Sequence, residues 1–157
     1  MSNDAALRKH LVDLLTGGNA HITFADAAKD FPVQLAGTRP AGSPHSAWEI
    51  LEHLRIAQRD IVSFCEGDNY VELKWPDDYW PSSPAPENAA QWRKSVDAVR
   101  DDLKHFVRLL EDEKRDLFES FSWGNGQTLL REALLIADHN SYHLGQLMFV
   151  RRILENR

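Results

Sequence analysis

The stretch from Trp92 to Leu110 reads WRKSVDAVRDDLKHFVRLL. Trp92, Val96, Val99, Leu103, Phe106 and Leu110 follow one another at alternating steps of four and three. About 3.6 residues make one helical turn, so this spacing draws an apolar stripe along one side of an α-helix. Arg, Asp, Lys and Glu fill the other faces, which marks the stripe as the inward seam of a bundle helix. The pattern predicts a helix over 87–113.

Working outward, three more long helices are expected. Leu7, Leu11 and Leu14 recur at helical spacing over 4–16, with Asp4 in the first turn and Gly17-Gly18 as the stop. Ser46 is a good N-cap for a helix over 46–66, which Gly67 ends; Ile50, His53, Ala57, Ile61 and Phe64 form its stripe. A last helix is expected from Thr128 to Leu154, with Arg151 and Arg152 near its C-terminus, where the helix dipole favours cations. In HITFADAAKDFP (21–32), Thr23 can cap a short helix with Asp26 three residues on. AGTRPAGSPHS (36–46) and GDNYVELKWPDDYWPSSPAP (67–86) read as loops, and LFESFSWGNGQ (117–127) as a turn-rich connection.

No alternating strand pattern appears. Four long helices predict an all-α four-helix bundle in a single domain over 1–157, with connections long enough for crossovers. The loop 67–86 carries Tyr70, Trp75, Tyr79 and Trp80, too many aromatics for a simple linker. Two readings stand: the rings cover one end of the bundle, or they also line a ligand pocket.

Composition sets the outer limits. Of 157 residues, 43% are hydrophobic and 27% charged, which suits one globular core. The net charge of -6, with cations interleaved among acids, argues against a nucleic-acid partner, which needs clustered Lys and Arg. The single cysteine, Cys65, excludes an intramolecular disulfide and is expected to be a buried apolar side chain rather than a nucleophile. No apolar run reaches the ~18 residues of a membrane span, so no membrane association is expected. The N-terminal residues lack signal-peptide features, so a cytoplasmic location is expected.

Seven histidines are the remaining chemistry. His139 and His143 stand one turn apart in ADHNSYHLGQL (137–147), at the edge of and within the apolar face of Leu129, Ala133, Ile136, Ala137, Leu144, Leu147 and Met148. Both imidazoles can therefore converge on one point. A buried hydrogen-bond network would satisfy them as well as a metal would, and the pair alone is weak support for either. His53 lies on the stripe of the second long helix. If the second and fourth long helices are neighbours, His53, His139 and His143 form a three-imidazole site. That donor set suits Zn or Ni and leaves a coordination position open for water or substrate. Glu49, one turn before His53, is the expected partner to orient it, with Glu52, Gln58, Asp138 and Tyr142 as further candidates. His21 reads as a turn residue, or as an outer wall or labile ligand of the site; His10, His45 and His105 are assigned to structure or solvent.

GTRPAGSPHSAWEILEHLRIAQRDIVSF (37–64), WPDDYWP (75–81) and LLREALLIADHNSYHLGQLMFVRR (129–152) together resemble the DinB-like (damage-inducible, YfiT-like) superfamily of four-helix-bundle proteins. The resemblance runs from about Leu7 to Leu154, with E-H-L-R on the second long helix and H-x-x-x-H on the fourth as its most specific parts. It implies a divalent metal ion held by His53, His139 and His143, and it implies that the two helices meet. It further implies a small-molecule substrate, a possible homodimer, and chemistry of two kinds. One is thiol-dependent transfer or isomerisation, with a low-molecular-weight thiol as co-substrate; the other is hydrolysis. A non-catalytic metal- or small-ligand-binding stress-response protein is the alternative expectation. No residue stands out in the sequence as a general base.

Overall fold

The computed structural model describes residues 2–17, 20–67 and 69–156. The chain is all-α: α1 (Asn3–Thr16), α2 (Phe24–Ala28), α3 (Ala47–Glu66), α4 (Ala89–Glu111) and α5 (Leu129–Glu155). Short 3-10 turns at Val33–Leu35 and Asp77–Tyr79 punctuate the loops. Among the described residues there is no strand, only an isolated antiparallel bridge between Ser120 and Thr128.

The helix ends follow their local chemistry. Ser46 and Glu49 form a reciprocal capping box at α3, satisfying two backbone N–H groups that the helix leaves open. Thr23 caps α2 and Thr128 caps α5. Gly17 ends α1 in the left-handed region, φ 79°, where a Cβ would be strained. Gly18, the other half of the expected stop, lies outside the described residues. The buried Arg8 of α1 donates to the Leu110 carbonyl (2.6 Å) in the last turn of α4 and to the Arg115 carbonyl (2.6 Å) just beyond it, tying α1 to that end.

The four long helices close a ring in which α1 and α3 each lie between α4 and α5. Their directions follow from which residues meet. Trp92 lies beside Trp48, Gln58 donates to the Val99 carbonyl, and His105 pairs with Glu66. Residue numbers rise together along both helices, so α3 and α4 run parallel. The opposite holds for α5, which is antiparallel to α3: Leu147 and Val150 pack with Trp48 and Leu51, while Ala133 and Ile136 pack with Val62 and Cys65.

Parallel α3 and α4 force their connection to return along the length of α3, roughly 30 Å for 20 residues at 1.5 Å each. Its far end is pinned beside the start of α3: Ser46 Oγ donates to the Pro84 carbonyl (2.6 Å), and a Cβ on Gly37 would collide with Ala85 Cβ. That return path covers the outer face of α3, so every residue from Ala47 to Leu54 is buried, not one stripe alone. The core falls into two apolar clusters. One gathers Trp48, Leu51, Trp92 and Leu147; the other gathers Leu11, Val62, Phe106 and Ile136. No helix among the described residues is long and apolar enough to cross a membrane.

Candidate metal centre

His53, His139 and His143 come together between the two apolar clusters. The ring centroids of His53 lie 4.9 Å from His139 and 4.5 Å from His143, and those of His139 and His143 are 4.5 Å apart. One ring nitrogen from each lies within 4.8 Å of the others, and the Nε2 atoms of His53 and His139 approach to 3.1 Å. Antiparallel packing of α3 and α5 makes this meeting, and one helical turn places His139 and His143 on the same side of α5.

Neighbouring groups orient two of the rings. His53 Nδ1 faces the Tyr79 carbonyl at 2.9 Å. A carbonyl only accepts, so Nδ1 carries the hydrogen and Nε2 presents a lone pair. His143 Nδ1 faces Gln146 Oε1 at 2.8 Å, with the same consequence. His139 Nδ1 is buried and has no hydrogen-bond partner.

All three imidazoles are held below their usual pKa. Burial is the main cause throughout. His143 is lowered to about 4, first by burial and then by His139 and His53. The rings are therefore neutral at neutral pH, the form in which imidazole binds a metal. Converging neutral nitrogens, two of them with their lone pairs fixed, fit a divalent ion, so the cluster could hold one. Three protein donors leave further coordination to water or substrate.

A cavity of about 590 Å³ opens beside His53 and His139. Phe64, Tyr70, Trp75, Tyr79 and Trp123 supply its aromatic wall, and Asp60, Glu72, Arg131 and Glu132 its charges. Both readings of the 67–86 loop thus hold in part. Tyr70, Trp75 and Tyr79 line the cavity, whereas Trp80 covers His53, stacked at 4.1 Å. Tyr79 OH donates to Asp60 (2.6 Å), which ties the loop back to α3.

Several expected partners are placed elsewhere. Glu49 does not orient His53: its carboxylate is held by Arg39 and by the Ser46 N–H (2.8 Å), because the capping box and a nearby cation compete for it. Glu52 is taken by Arg55 at 2.8 Å, and Asp138 is exposed. Gln58 reaches α4 and Asn140 rather than an imidazole. Tyr142, 64% exposed, touches His143 only by an edge contact of 4.9 Å. His21 stands apart from the three-histidine cluster: its Nε2 meets Ser141 Oγ at 3.2 Å, beside a separate cleft between α1, α4 and α5. His105 pairs with Glu66 (2.7 Å) and His10 is exposed. His45 is structural but belongs to the site's wall, stacked on Trp80 at 4.0 Å. Cys65 is fully buried, and burial pushes its thiol well up, as expected of an inert side chain.

Sequence reasoning missed Gln146, Glu132 and the Tyr79 carbonyl. Gln146 stands one turn after His143, a spacing that could have flagged it. Glu132 is 2% exposed, its carboxyl raised by burial against the pull of Arg131 at 2.7 Å. It lies two turns before His139 on the cavity side of α5. A backbone carbonyl leaves no trace in side-chain patterning.

No curated protein and no solved structure matches the chain. The sequence model of one family matches residues 21–147, a span that holds all three histidines and most of the chain. On that match, the helical bundle with its histidine cluster belongs to the DinB superfamily.

Proposed function

We propose that the protein is a metal-dependent enzyme acting on a small organic molecule, with His53, His139 and His143 as the metal ligands. The observation that carries this reading is the opening of His53 and His139 onto the 590 Å³ cavity. A purely structural metal would be enclosed by four protein donors, whereas among the described residues this donor set stops at three and faces space of substrate size. A divalent ion held there, zinc or nickel from the imidazole donors, supplies Lewis acidity that activates a water or a low-molecular-weight thiol.

The protein's own groups do the remaining work. The Tyr79 carbonyl and Gln146 hold two rings in register, and Trp80 screens one face of His53 from water. Aromatic side chains of the 67–86 loop receive the apolar part of a substrate. Asp60, Glu72 and Glu132 outnumber Arg131, which Glu132 already engages, a negative lining that a bound divalent ion would largely offset. Glu132, with its raised pKa, is the cavity carboxyl best suited to exchange a proton with substrate.

The test is metal analysis of wild-type and His53→Ala protein, followed by turnover assays on the metal-loaded form. Esters and amides probe hydrolysis; electrophiles offered with low-molecular-weight thiols probe transfer. Stoichiometric metal and turnover in the wild type, both lost in His53→Ala, are expected. Bound metal without turnover in either panel would favour a non-catalytic binding protein, and no metal in the wild type would overturn the site.

A further inference from the structure

A cleft separate from the metal centre opens between α4 and α5. α1 lies between these two helices, but it has 14 residues against 23 in α4 and 27 in α5. At 1.5 Å per residue it covers only about 21 Å of the groove between them. Where α1 ends, before α2 begins, the groove stays open over about 470 Å³. The cleft shares no lining residue with the cavity beside His53 and His139. It takes Ala137, Ser141 and Leu144 from α5, on a different side of that helix from the metal-facing histidines.

The inner wall of the cleft is apolar and reaches the core: Leu54, Val99 and Leu144 are all buried. Its mouth leaves apolar side chains in water, with Leu14 51% exposed and Ile22 40%. Apolar surface gathered in one recess is what the hydrocarbon part of a ligand covers. The rim has the opposite sign to the protein as a whole, whose net charge is -6. Arg100, Lys104 and Arg108 follow one another at steps of four along one face of α4, and Glu111 is the one carboxylate in the lining. Arg100 pairs with Asp97 at 3.6 Å and Lys104 with Asp101 at 3.2 Å. Those carboxylates lie outside the lining, and ion pairs so open to solvent hold their cations only weakly.

We propose that this cleft is a second ligand site, for a single-chain amphipathic carboxylate of the fatty-acid kind: the apolar recess takes the chain, and the row Arg100, Lys104 and Arg108 takes the head. Size and depth favour this occupant. A recess of about 470 Å³ holds a hydrocarbon chain but not the helix of a partner protein, and its buried floor is out of reach of a flat membrane surface. The cations stand roughly 6 Å apart along α4, so a carboxylate finds an arginine fork or a lysine wherever the chain stops. None of the three clustered histidines takes part, so the site does not depend on the metal centre.

The experiment uses the full chain, ¹³C-labelled at its Ile, Leu and Val methyl groups and titrated with sodium decanoate below its micelle concentration. The methyl signals of Leu14, Ile22, Leu103 and Leu144 should shift and saturate. Each methylene removed from the probe should weaken binding by up to about fourfold. Decyltrimethylammonium, with the same chain and the opposite charge, should bind at least about tenfold more weakly than decanoate. The double variant Lys104→Glu, Arg108→Glu should lose decanoate affinity by a similar factor while circular dichroism shows it folded. Binding should be equal with and without chelator; its loss on chelation would put the carboxylate on the metal and overturn the site. No saturable shift, shifts confined to Ile61 and Leu135 beside the metal centre, equal affinity for the ammonium probe, or a double variant within about twofold of wild type would each overturn it too. So would broadening of the cleft methyls that grows with protein concentration alone, which would seat a second copy of the chain there. The ammonium comparison needs no variant, so it decides the matter even if the double variant fails to fold.

Discussion

The two ends of α5 and its middle bury different things. Leu129, Ala133 and Ile136 enter one apolar cluster, and Leu147, Val150 and Leu154 enter the other. Between them α5 turns His139, Asn140 and His143 toward α3. Burial in the apolar layers is non-directional and close to proportional to area. In the histidine layer each nitrogen needs a partner in a given direction, and desolvation works against charge. The first kind of layer holds the bundle together; the second spends some of that stability on a place where an ion can bind.

Removing volume from an apolar layer should have the largest effect. Phe106 is fully buried in the cluster below the histidines. Phe106→Ala should lower unfolding free energy by about 3–5 kcal/mol in urea titration, while the folded fraction keeps Zn²⁺ affinity within a few-fold. A large loss of affinity would show the two layers to be coupled rather than separate.

Replacing the ligands should do the reverse. Zn²⁺ at about 100 times its dissociation constant should stabilise wild-type protein by about 2.7 kcal/mol in thermal unfolding. The triple variant His53→Ala, His139→Ala, His143→Ala should gain nothing from Zn²⁺. An undiminished gain in that variant would place the metal elsewhere.

In chelated protein, pH probes the same histidine layer without the ion. The folded pKa of His143 is about 4 against an ordinary 6.5, so the unfolded chain takes up its proton first as pH falls. Stability should therefore be full above 6.5, decline toward about 4, and level off below it. His53 and His139 are shifted the same way and add to the slope. Urea midpoints across this range should fall with pH in wild type and fall less in His143→Leu. An equal slope in both would mean that other groups govern the decline.

Much of this organisation can be read from local patterning. The seam from Trp92 to Leu110 marks α4, although Val96 and Leu103 are only partly buried. Ser46, Thr23 and Thr128 mark helix starts because an N-cap depends on a few adjacent residues. His139 and His143 share a side of α5 because helical spacing alone puts them there.

What local spacing could not supply were the partners of the site. Glu49 has the right spacing to face His53, yet a cation ten residues earlier, Arg39, captures it. Trp80 and the Tyr79 carbonyl reach His53 only because α3 and α4 run parallel and their connection must travel back along α3. By itself, the sequence determined the helices, their caps and the inward faces that carry three histidines, since these follow from interactions within a few turns of one chain. The tertiary structure alone decided that the imidazoles meet, which atoms orient them and what cavity they face. Those outcomes depend on helix direction and loop path, which are set by contacts between residues far apart in the chain.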